Sequence, residues 1–462
     1  MDSITYKLIS SHPRYDVTLM QKTASSWGSR LGFILASAGS AVGLGAIWKF
    51  PYMAGTNGGS AFMLPYILFT FTVGIAMLIS EYAIGRAGRA GAVGSLRAVA
   101  GRGWGFFGIV GVITSFTILC FYSCVGGWCL KYLVDALMGE GLINNAAELN
   151  AHFGNFVSDG VKSYAYQLVF LITNCLVVMG GVQEGIERLA KVLMPTLFVL
   201  MLVLIIRGLM LPGAWEGVAY LFTPRFEDLT TESLFNAMGF TFFSLSLGAA
   251  TMVTYAGYLS EKANLATSTT WVAFLAILSA LLGGLMVMPT VFAFGLDPAA
   301  GPGLTFVTMP AIFSQMPFGQ FFAILFYLCL VVAAITSSVS MLEAFTATML
   351  KATTLPRRSI AIAGTLIASI IGLFCTLSFG ALSDFKIAGR TIFDLLDYLT
   401  SNIGMPLSEM GFALVAGWIA WRVVEHQLQT AEPLSPALLK VIRFGIAILS
   451  PLLIVVVVAT GI

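Results

Sequence analysis

The stretch Ser40-Ala-Val-Gly-Leu-Gly-Ala-Ile-Trp-Lys-Phe50 places two glycines and a lysine inside an apolar run that is long enough to cross a bilayer. In hydrocarbon every backbone polar group must be paired, so unwound backbone at membrane depth is tolerated only where it is buried in protein or lines a polar cavity. The carbonyls and helix ends freed by such a break can bind a cation or a charged small molecule. The stretch therefore predicts a solute site midway through a membrane.

The composition identifies an integral membrane protein. Of the 462 residues, 58% are hydrophobic and only 10% are charged, which is outside the range of soluble globular proteins. A helix needs about 20 apolar residues to span a bilayer. We predict eleven spans: 31–55, 60–84, 105–134, 164–182, 189–210, 236–258, 268–295, 319–349, 359–378, 391–421 and 439–460.

The charged residues indicate the topology. Placing the N-terminus in the cytoplasm assigns most of the 24 Lys and Arg residues to the inner side, which predicts a plasma (inner) membrane protein with an extracytoplasmic C-terminus. Residues 1–30 are polar and contain no apolar core of a signal peptide, so we expect them to form a cytoplasmic segment. The charged residues that give the net charge of +2 are topological signals, so they do not indicate nucleic-acid binding. We expect the lipid bilayer to be the partner of this chain.

The chemistry-bearing side chains do not indicate an enzyme. No arrangement of a nucleophile with a base stands out, and the six cysteines all fall within predicted spans. Membrane cysteines are mostly small packing residues, so the sequence predicts neither a disulfide framework nor a zinc site.

Two breaks organise the chain. Span 1 is interrupted at 42–45 and span 6 at 244–248, five spans later. Corresponding breaks in two halves are typical of inverted-repeat transporters, whose site lies at the repeat interface; glycines that only pack helices together are the alternative. We predict repeats at 31–210 and 236–421, followed by a last helix at 439–460. Residues 136–163 form an outer loop, and residues 301–318 form either a lid over an outer vestibule or interfacial helices.

Several motifs, in order along nearly the whole chain, resemble the neurotransmitter:sodium symporter family. They are WGSRLGFILASAGSAVGLG (27–45), KFPY (49–52), NGGSAFMLPY (57–66), EYAIGR (81–86), GIER (185–188), FFSLSLG (242–248), GPGLTFV (301–307) and AAITSS (333–338). Eleven spans are similar to its bacterial amino-acid transporter branch. The resemblance implies an all-α LeuT-type fold with two inverted five-helix repeats, and sodium-driven uptake of a small amine-containing solute by alternating access.

The resemblance also implies two sodium sites. The second site of the family matches the backbone of Gly39, Val42 and Ala333 and the hydroxyls of Thr336 and Ser337, all oxygen ligands of the kind that hard cations prefer. Helix–helix hydrogen bonding is the alternative role of these hydroxyls.

Two ligands of the family's first sodium site are missing from this sequence. The family uses the backbone of Ala41, a side-chain amide where this chain has Ala46, the hydroxyl of Ser244, and a polar residue in a stretch of span 7 where only Ser279 carries a hydroxyl. A desolvated ion with too few oxygens is unfavourable, so we expect this site to be empty or weak.

Chloride use is not predicted in either direction. Chloride-dependent members have a glutamine at the position of Phe240 together with a tyrosine matching Tyr66, whereas chloride-independent members have an acidic residue in span 7, which this chain lacks. The sequence fits neither pattern.

The substrate pocket implied by the resemblance favours an amino acid. Gly43 stands where amine-transporting members have an aspartate, so a substrate with its own carboxylate fits better. The amides between Gly43 and Gly45 and the hydroxyl of Tyr122 would bind that carboxylate, although Tyr122 could instead be a packing aromatic. The remaining predicted contacts comprise carbonyls for the amino group and mostly apolar side chains: Ala41, Ile118, Phe243, Ser246, Ala249, Ser337 and Met341. We expect a neutral apolar or aromatic amino acid.

The gates depart from the family pattern. Lys49 and Asp397 match its outer ion pair, with Phe243 and Tyr122 beside them, but lysine lacks the bidentate fork of arginine, so we expect a water-mediated gate. Snorkelling of Lys49 to the surface is the alternative.

At the inner gate the family pairs a basic with an acidic residue, and this chain has Ala24 and Lys351 at those positions. That leaves Trp27 and Tyr258 to close the inner side and predicts that inward-open states are more populated.

Two acidic residues, Glu81 and Glu343, lie within or beside spans, where such residues are expensive. We expect carboxylates hydrogen-bonded to backbone, with proton coupling through Glu343 as the alternative. The leading hypothesis is an amino-acid symporter coupled mainly through the second sodium site. A transporter-like sensor, or a weakly coupled or proton-coupled transporter, is the alternative; the oligomeric state is not predicted.

Overall fold

The computed structural model describes residues 26–298 and 304–460. Regular secondary structure in these ranges is helical, apart from one bridge between Ile387 and Arg390. The helices, numbered in chain order, are α1 (Arg30–Ala41), α2 (Gly45–Thr56), α3 (Ser60–Gly88), α4 (Gly91–Ala100), α5 (Arg102–Met138), α6 (Ala146–Ser158), α7 (Gly160–Met179), α8 (Val182–Leu209), α9 (Ala214–Phe222), α10 (Thr231–Ser244), α11 (Thr251–Gly257), α12 (Leu265–Ala293), α13 (Leu304–Gln315), α14 (Gly319–Ala352), α15 (Arg357–Leu377), α16 (Ile392–Ile419), α17 (Trp421–Gln429) and α18 (Pro436–Ala459).

Eight of the helices in the described ranges are long and apolar enough to span a membrane, and ten spans result when each sharply bent pair counts as one. The remaining predicted span, the sixth at 236–258, corresponds to α10 and α11, which are too short to cross a bilayer singly. The tenth predicted span, 391–421, is not one continuous helix, because the chain bends by 86° between α16 and α17.

Both predicted breaks are present. The first lies between α1 and α2, whose axes differ by 48°. The second separates α10 from α11, and within it Ser246, Gly248 and Ala250 have φ values of 53°, 73° and 59°. A Cβ on Gly248 would lie 2.1 Å from the carbonyl oxygen of Met405. Only glycine therefore combines the left-handed conformation with this close approach to α16.

The carboxyl group of Glu81 on α3 stabilises the second break. Its two oxygens accept hydrogen bonds from the backbone N–H of Gly248 at 2.8 Å and of Val253 at 3.1 Å. The Glu81 side chain is completely buried. A buried N–H without a partner is costly, so this carboxyl group has the backbone-pairing role that we expected from the sequence.

The breaks are surrounded by long helices. The most extensively packed, α5, lies along α14 and α7, and α1 packs against α12, α8 and α14. The buried core is continuous from Trp27 to Val457. The two unwound segments therefore lie inside protein, as the membrane environment requires.

The segment after α12 dips into the outer side of the protein. Phe306 of α13 is buried, stacks on Phe153 of α6 with a centroid distance of 5.5 Å, and contacts Trp128 and Tyr132 of α5. This placement favours the lid over the interfacial alternative. The first residues of that predicted segment, 301–303, and most of the predicted N-terminal segment, including Ala24, lie outside the described residues.

We predict that Glu81→Ala destabilises the protein, because two buried N–H groups lose their acceptors at a cost of about 1–3 kcal/mol each. Thermal unfolding in detergent should show a midpoint several degrees below that of the wild type. Glu81→Gln, which keeps an acceptor oxygen for one of the two groups, should show a smaller decrease. Equal midpoints for Glu81→Ala and the wild type would contradict this role.

Candidate functional site

A small cavity of about 30 Å³ lies beside the two breaks. All ten residues that we predicted to contact substrate line it: Ala41, Gly43, Gly45, Ile118, Tyr122, Phe243, Ser246, Ala249, Ser337 and Met341. Sequence reasoning missed two further lining residues, Ser40 and Met405. Ser40 is adjacent to predicted residues, whereas nothing in the sequence around Met405 indicated that α16 packs against the second break.

The first break presents backbone groups to this cavity. The backbone N–H of Leu44 donates a hydrogen bond to Tyr122 Oη at 3.1 Å. Because a hydroxyl has one proton to donate, Tyr122 retains its own O–H for another acceptor. A Cβ on Gly43 would lie 2.2 Å from Ser337 Oγ and 3.0 Å from Tyr122 Oη. The structure therefore has no room for a side chain, charged or not, at position 43.

Hydroxyl groups from two other elements bind the carbonyls at the end of α1. Ser337 Oγ donates to the carbonyl oxygens of Gly39 at 3.1 Å and Ser40 at 3.0 Å, and Ser246 Oγ of the second break also reaches Ser40 O at 3.0 Å. A second bond joins α1 to α14, between Ser40 Oγ and Ser340 Oγ at 2.7 Å. These contacts fix the unwound end of α1 against α14 and the second break.

The residues predicted for the second sodium site cluster at this junction. Thr336 Oγ1 donates to Ala333 O at 3.0 Å, and a Cβ on Gly39 would lie 3.1 Å from the Thr336 Cβ. Val42 caps the C-terminal end of α1 with its N–H bound to Ala38 O. The donor set contains only carbonyl and hydroxyl oxygens, so it fits a hard monovalent cation.

The region predicted for the first sodium site contains few side-chain oxygens. Ser244 Oγ and Ser279 Oγ donate to carbonyls of their own helices, at 3.2 Å and 2.8 Å. A Cβ on Gly283 would lie 2.1 Å from the carbonyl oxygen of Ala46, so α12 is packed directly against the start of α2. No side-chain amide is available at Ala46, and the residues present do not fit a complete sodium shell.

An aromatic cluster occupies the region implied for chloride. The rings of Phe50, Phe62, Tyr66 and Phe240 pack with centroid distances between 5.0 and 5.8 Å. Phe240 is buried and supplies no hydrogen-bond donor. These residues do not fit the glutamine-based chloride pattern.

Lys49 and Asp397 of the predicted outer gate form no direct ion pair, and a water-mediated contact between them stays a prediction. Lys49 Nζ lies 4.3 Å from the centroid of the Phe243 ring, a cation–π contact. Asp397 and Lys49 line the same vestibule, of about 280 Å³. The Asp397 carboxylate is more than 4.0 Å from Lys49 Nζ and accepts a hydrogen bond from Ser401 Oγ at 3.2 Å. Because the lysine ammonium is compact and its stem is flexible, Lys49 can contact the Phe243 ring without binding the Asp397 carboxylate directly. Phe243 and Met405 line both cavities and separate the vestibule from the central site.

At the end of the bundle that we predict to face the cytoplasm, Trp27 is hydrogen-bonded to the chain at and just after α11. Its backbone N–H donates to Tyr258 O at 3.1 Å and its indole N–H to Tyr255 O at 2.9 Å. The next two residues, Gly28 and Ser29, donate to the carboxylate of Glu187 at 2.6 and 2.8 Å. The start of α1 is thereby attached to α8 and α11.

A buried ion pair at this end was missed from the sequence. The guanidinium of Arg357 makes a bidentate contact with Glu343, at 2.6 and 2.9 Å, and Tyr258 Oη donates to the same carboxylate at 2.7 Å. Our expectation that backbone groups bind Glu343 was therefore wrong. The available signal was Arg357 after Pro356, which starts the helix that returns alongside α14. This pair joins the C-terminal part of α14 to the start of α15.

Comparisons with known proteins agree with this geometry. The model of the sodium:neurotransmitter symporter family matches residues 24–143 and 147–462. A sodium-dependent transporter, YhdH of Bacillus subtilis, is 42% identical over 403 residues, covering 87% of this chain and 89% of the relative. A sodium-dependent transporter of Haemophilus influenzae is 31% identical, covering 90% and 94%.

The crystal structure of MhsT in complex with L-phenylalanine superimposes with a TM-score of 0.88 at 37% identity, covering 95% of this chain and all of MhsT. The prediction of an all-α, LeuT-type fold is confirmed. Members of this family are transporters, so the chain is not an enzyme. The fold, the two breaks and the match along the chain establish a multi-pass membrane protein that belongs to the sodium:neurotransmitter symporter family of sodium-dependent transporters.

Proposed function

We propose that this transporter is a symporter that imports a small neutral amino acid, apolar or aromatic, together with sodium bound mainly at the second site. The observation that supports this most directly is that unwound backbone, the Tyr122 hydroxyl and an apolar wall line one cavity. MhsT, with which the chain superimposes along 95% of its length, binds L-phenylalanine. The N-terminus would lie in the cytoplasm of a cell whose plasma membrane holds the protein.

The cavity suits a zwitterion with an apolar side chain. The amides at Gly43–Gly45 begin α2, where the helix dipole favours an anion, and Tyr122 Oη offers a further donor. The carbonyls of Ala41, Phe243 and Ser246 would bind the amino group. The lining residues include no charged side chain, so a substrate with a charged side chain would lose its solvation without a partner.

Sodium and substrate would share structural elements. The Ser337 hydroxyl lies against Gly39 O of the proposed cation site and also lines the central cavity. A cation at Gly39, Val42, Ala333, Thr336 and Ser337 would hold α1 against α14 and so stabilise the cavity wall. Binding of either ligand would then favour binding of the other, as coupled transport requires.

A second candidate function remains supported by the depleted first sodium site. A sensor of the same fold, or a weakly coupled or proton-coupled transporter, would also lack the oxygens that are missing around Ala46 and Ser244. Uptake into proteoliposomes with sodium and proton gradients imposed separately distinguishes these functions. Concentrative uptake without sodium supports proton coupling, and binding of amino acids without uptake supports a sensor.

We predict that Gly43→Ala reduces uptake of labelled phenylalanine into proteoliposomes to below roughly a tenth of the wild-type rate. The added methyl group would overlap Ser337 Oγ and displace the unwound backbone. Gly154→Ala on α6 is the matched control, since a Cβ there meets nothing within 4 Å. Wild-type uptake by Gly43→Ala would contradict the proposed site.

We expect Thr336→Val to raise the sodium concentration for half-maximal uptake roughly tenfold, because one oxygen ligand is replaced by a methyl group of similar shape. Sodium dependence of uptake, and of thermal stability, measures the effect. Thr348→Val, on the same helix and hydrogen-bonded only to Ala344 O, should leave both curves unchanged. Sodium curves of Hill coefficient near 1 are expected for one dominant site, and a coefficient near 2 would argue for a functional first site.

Alternating access requires the inner ion pair to open. Arg357→Gln removes the guanidinium that binds Glu343, so the inner side should open more often. A reporter Ser340→Cys, one helical turn from Glu343 on α14, should react with a polar maleimide about tenfold faster in the Arg357→Gln background. Arg358→Gln, an exposed neighbour, is the control. Equal labelling rates in the two backgrounds would show that this pair does not close the inner pathway.

A further inference from the structure

A groove that transport does not explain lies where α18 begins. Lys440 and Arg443 are the last charged residues of this helix, and residues 444–459 carry none. Sixteen helical residues correspond to about 24 Å of helix, most of the hydrocarbon thickness of a bilayer. Lys440 and Arg443 therefore lie at one polar–apolar boundary of the membrane.

The floor of the groove is formed by contact between α16 and α18. The groove is open, has a volume of about 320 Å³, and lies between the C-terminal end of α16 and the first turns of α18. A Cβ on Gly417 would lie 2.6 Å from the Ala447 Cα, so the two helices touch there, and the indole N–H of Trp418 donates to Ala447 O at 2.8 Å. The walls are Trp418 and Phe444, whose side chains are 62% and 59% exposed.

The cations of the groove have no acidic partner. Ion pairs within 4.0 Å among the described residues do not include Lys440 or Arg443. The guanidinium of Arg443 lies 5.5 Å from the centroid of the Trp421 ring, which holds its stem beside the groove. Two positive charges thus line one side of a groove whose other side is aromatic.

This combination matches one ligand chemistry. Ammonium and guanidinium groups bind phosphate oxygens, and the aromatic walls suit a glycerol backbone and the first acyl carbons. A soluble phosphate would leave the exposed rings uncovered. In the orientation that the charged loops favour, this boundary faces the cytoplasm, whose leaflet carries anionic lipid.

We propose that this groove binds the headgroup of one anionic phospholipid, with Lys440 and Arg443 on its phosphate and Trp418 and Phe444 along its glycerol and upper acyl region. The competing account is that the two cations and two aromatics only form an interfacial belt, which has no preference among headgroups. A lipid in the groove would join α16 to α18 at the end nearest the 86° bend after α16.

The test is native mass spectrometry of the intact protein in detergent, with phosphatidylglycerol, phosphatidylcholine or glycerol 3-phosphate added at equal concentrations. The variant is Lys440→Gln/Arg443→Gln, and the matched control is Arg97→Gln/Arg102→Gln, which removes the same charge from other exposed positions. Thermal midpoints without added lipid check that each protein is folded.

The wild type and the control should retain one phosphatidylglycerol in preference to phosphatidylcholine. The groove variant should bind it about thirtyfold more weakly, because each of the two cations near an anionic headgroup contributes roughly fivefold. Equal retention by the groove variant and the control would overturn the proposal, as would equal retention of the two lipids. Displacement of the lipid by glycerol 3-phosphate would show a site for soluble phosphate and would also overturn it.

Discussion

Unwound backbone inside a membrane must find its hydrogen-bond partners within the protein, and the rest of this structure follows from that requirement. The second break depends on the buried carboxyl group of Glu81 on α3, which accepts hydrogen bonds from the backbone N–H groups of Gly248 and Val253. The first break depends on the hydroxyls of Tyr122, Ser337 and Ser246. Each break is thus held by side chains of other helices, and the helices must pack where those side chains reach.

The same requirement places polar side chains in the middle of the molecule. Groups that stabilise unwound backbone are polar, so they line a polar cavity wherever the breaks approach each other. Ser337 belongs both to the cavity wall and to the oxygen cluster around Gly39. The proposed substrate and cation sites share one hydroxyl and one helix end, so binding at the two sites would be coupled through the position of α1.

The two gates show which contacts can be predicted from residue identity and which cannot. That the outer gate contains lysine was evident from the sequence, and so was the loss of its bidentate fork. Which partner Lys49 takes depends on the position of the Phe243 ring, 4.3 Å away, relative to Asp397. At the inner gate, the residue types at positions 24 and 351 predicted that the ion pair usual in the family is missing. The Arg357–Glu343 pair forms because α14 and α15 run back along each other after a short turn, and local sequence patterns do not report such long-range juxtaposition.

The sequence by itself determined the membrane class and the position of both breaks, because these depend on residue type and local periodicity. Through the family resemblance it also identified the missing side-chain amide at Ala46 and ten of the twelve residues that line the central cavity. Tertiary structure alone decided that Met405 joins them, that α16 turns sharply before Trp421, and that Glu343 binds Arg357. The physical reason is that a side chain's partner on another helix is set by the crossing and depth of both helices, and these quantities exist only once the whole bundle is packed.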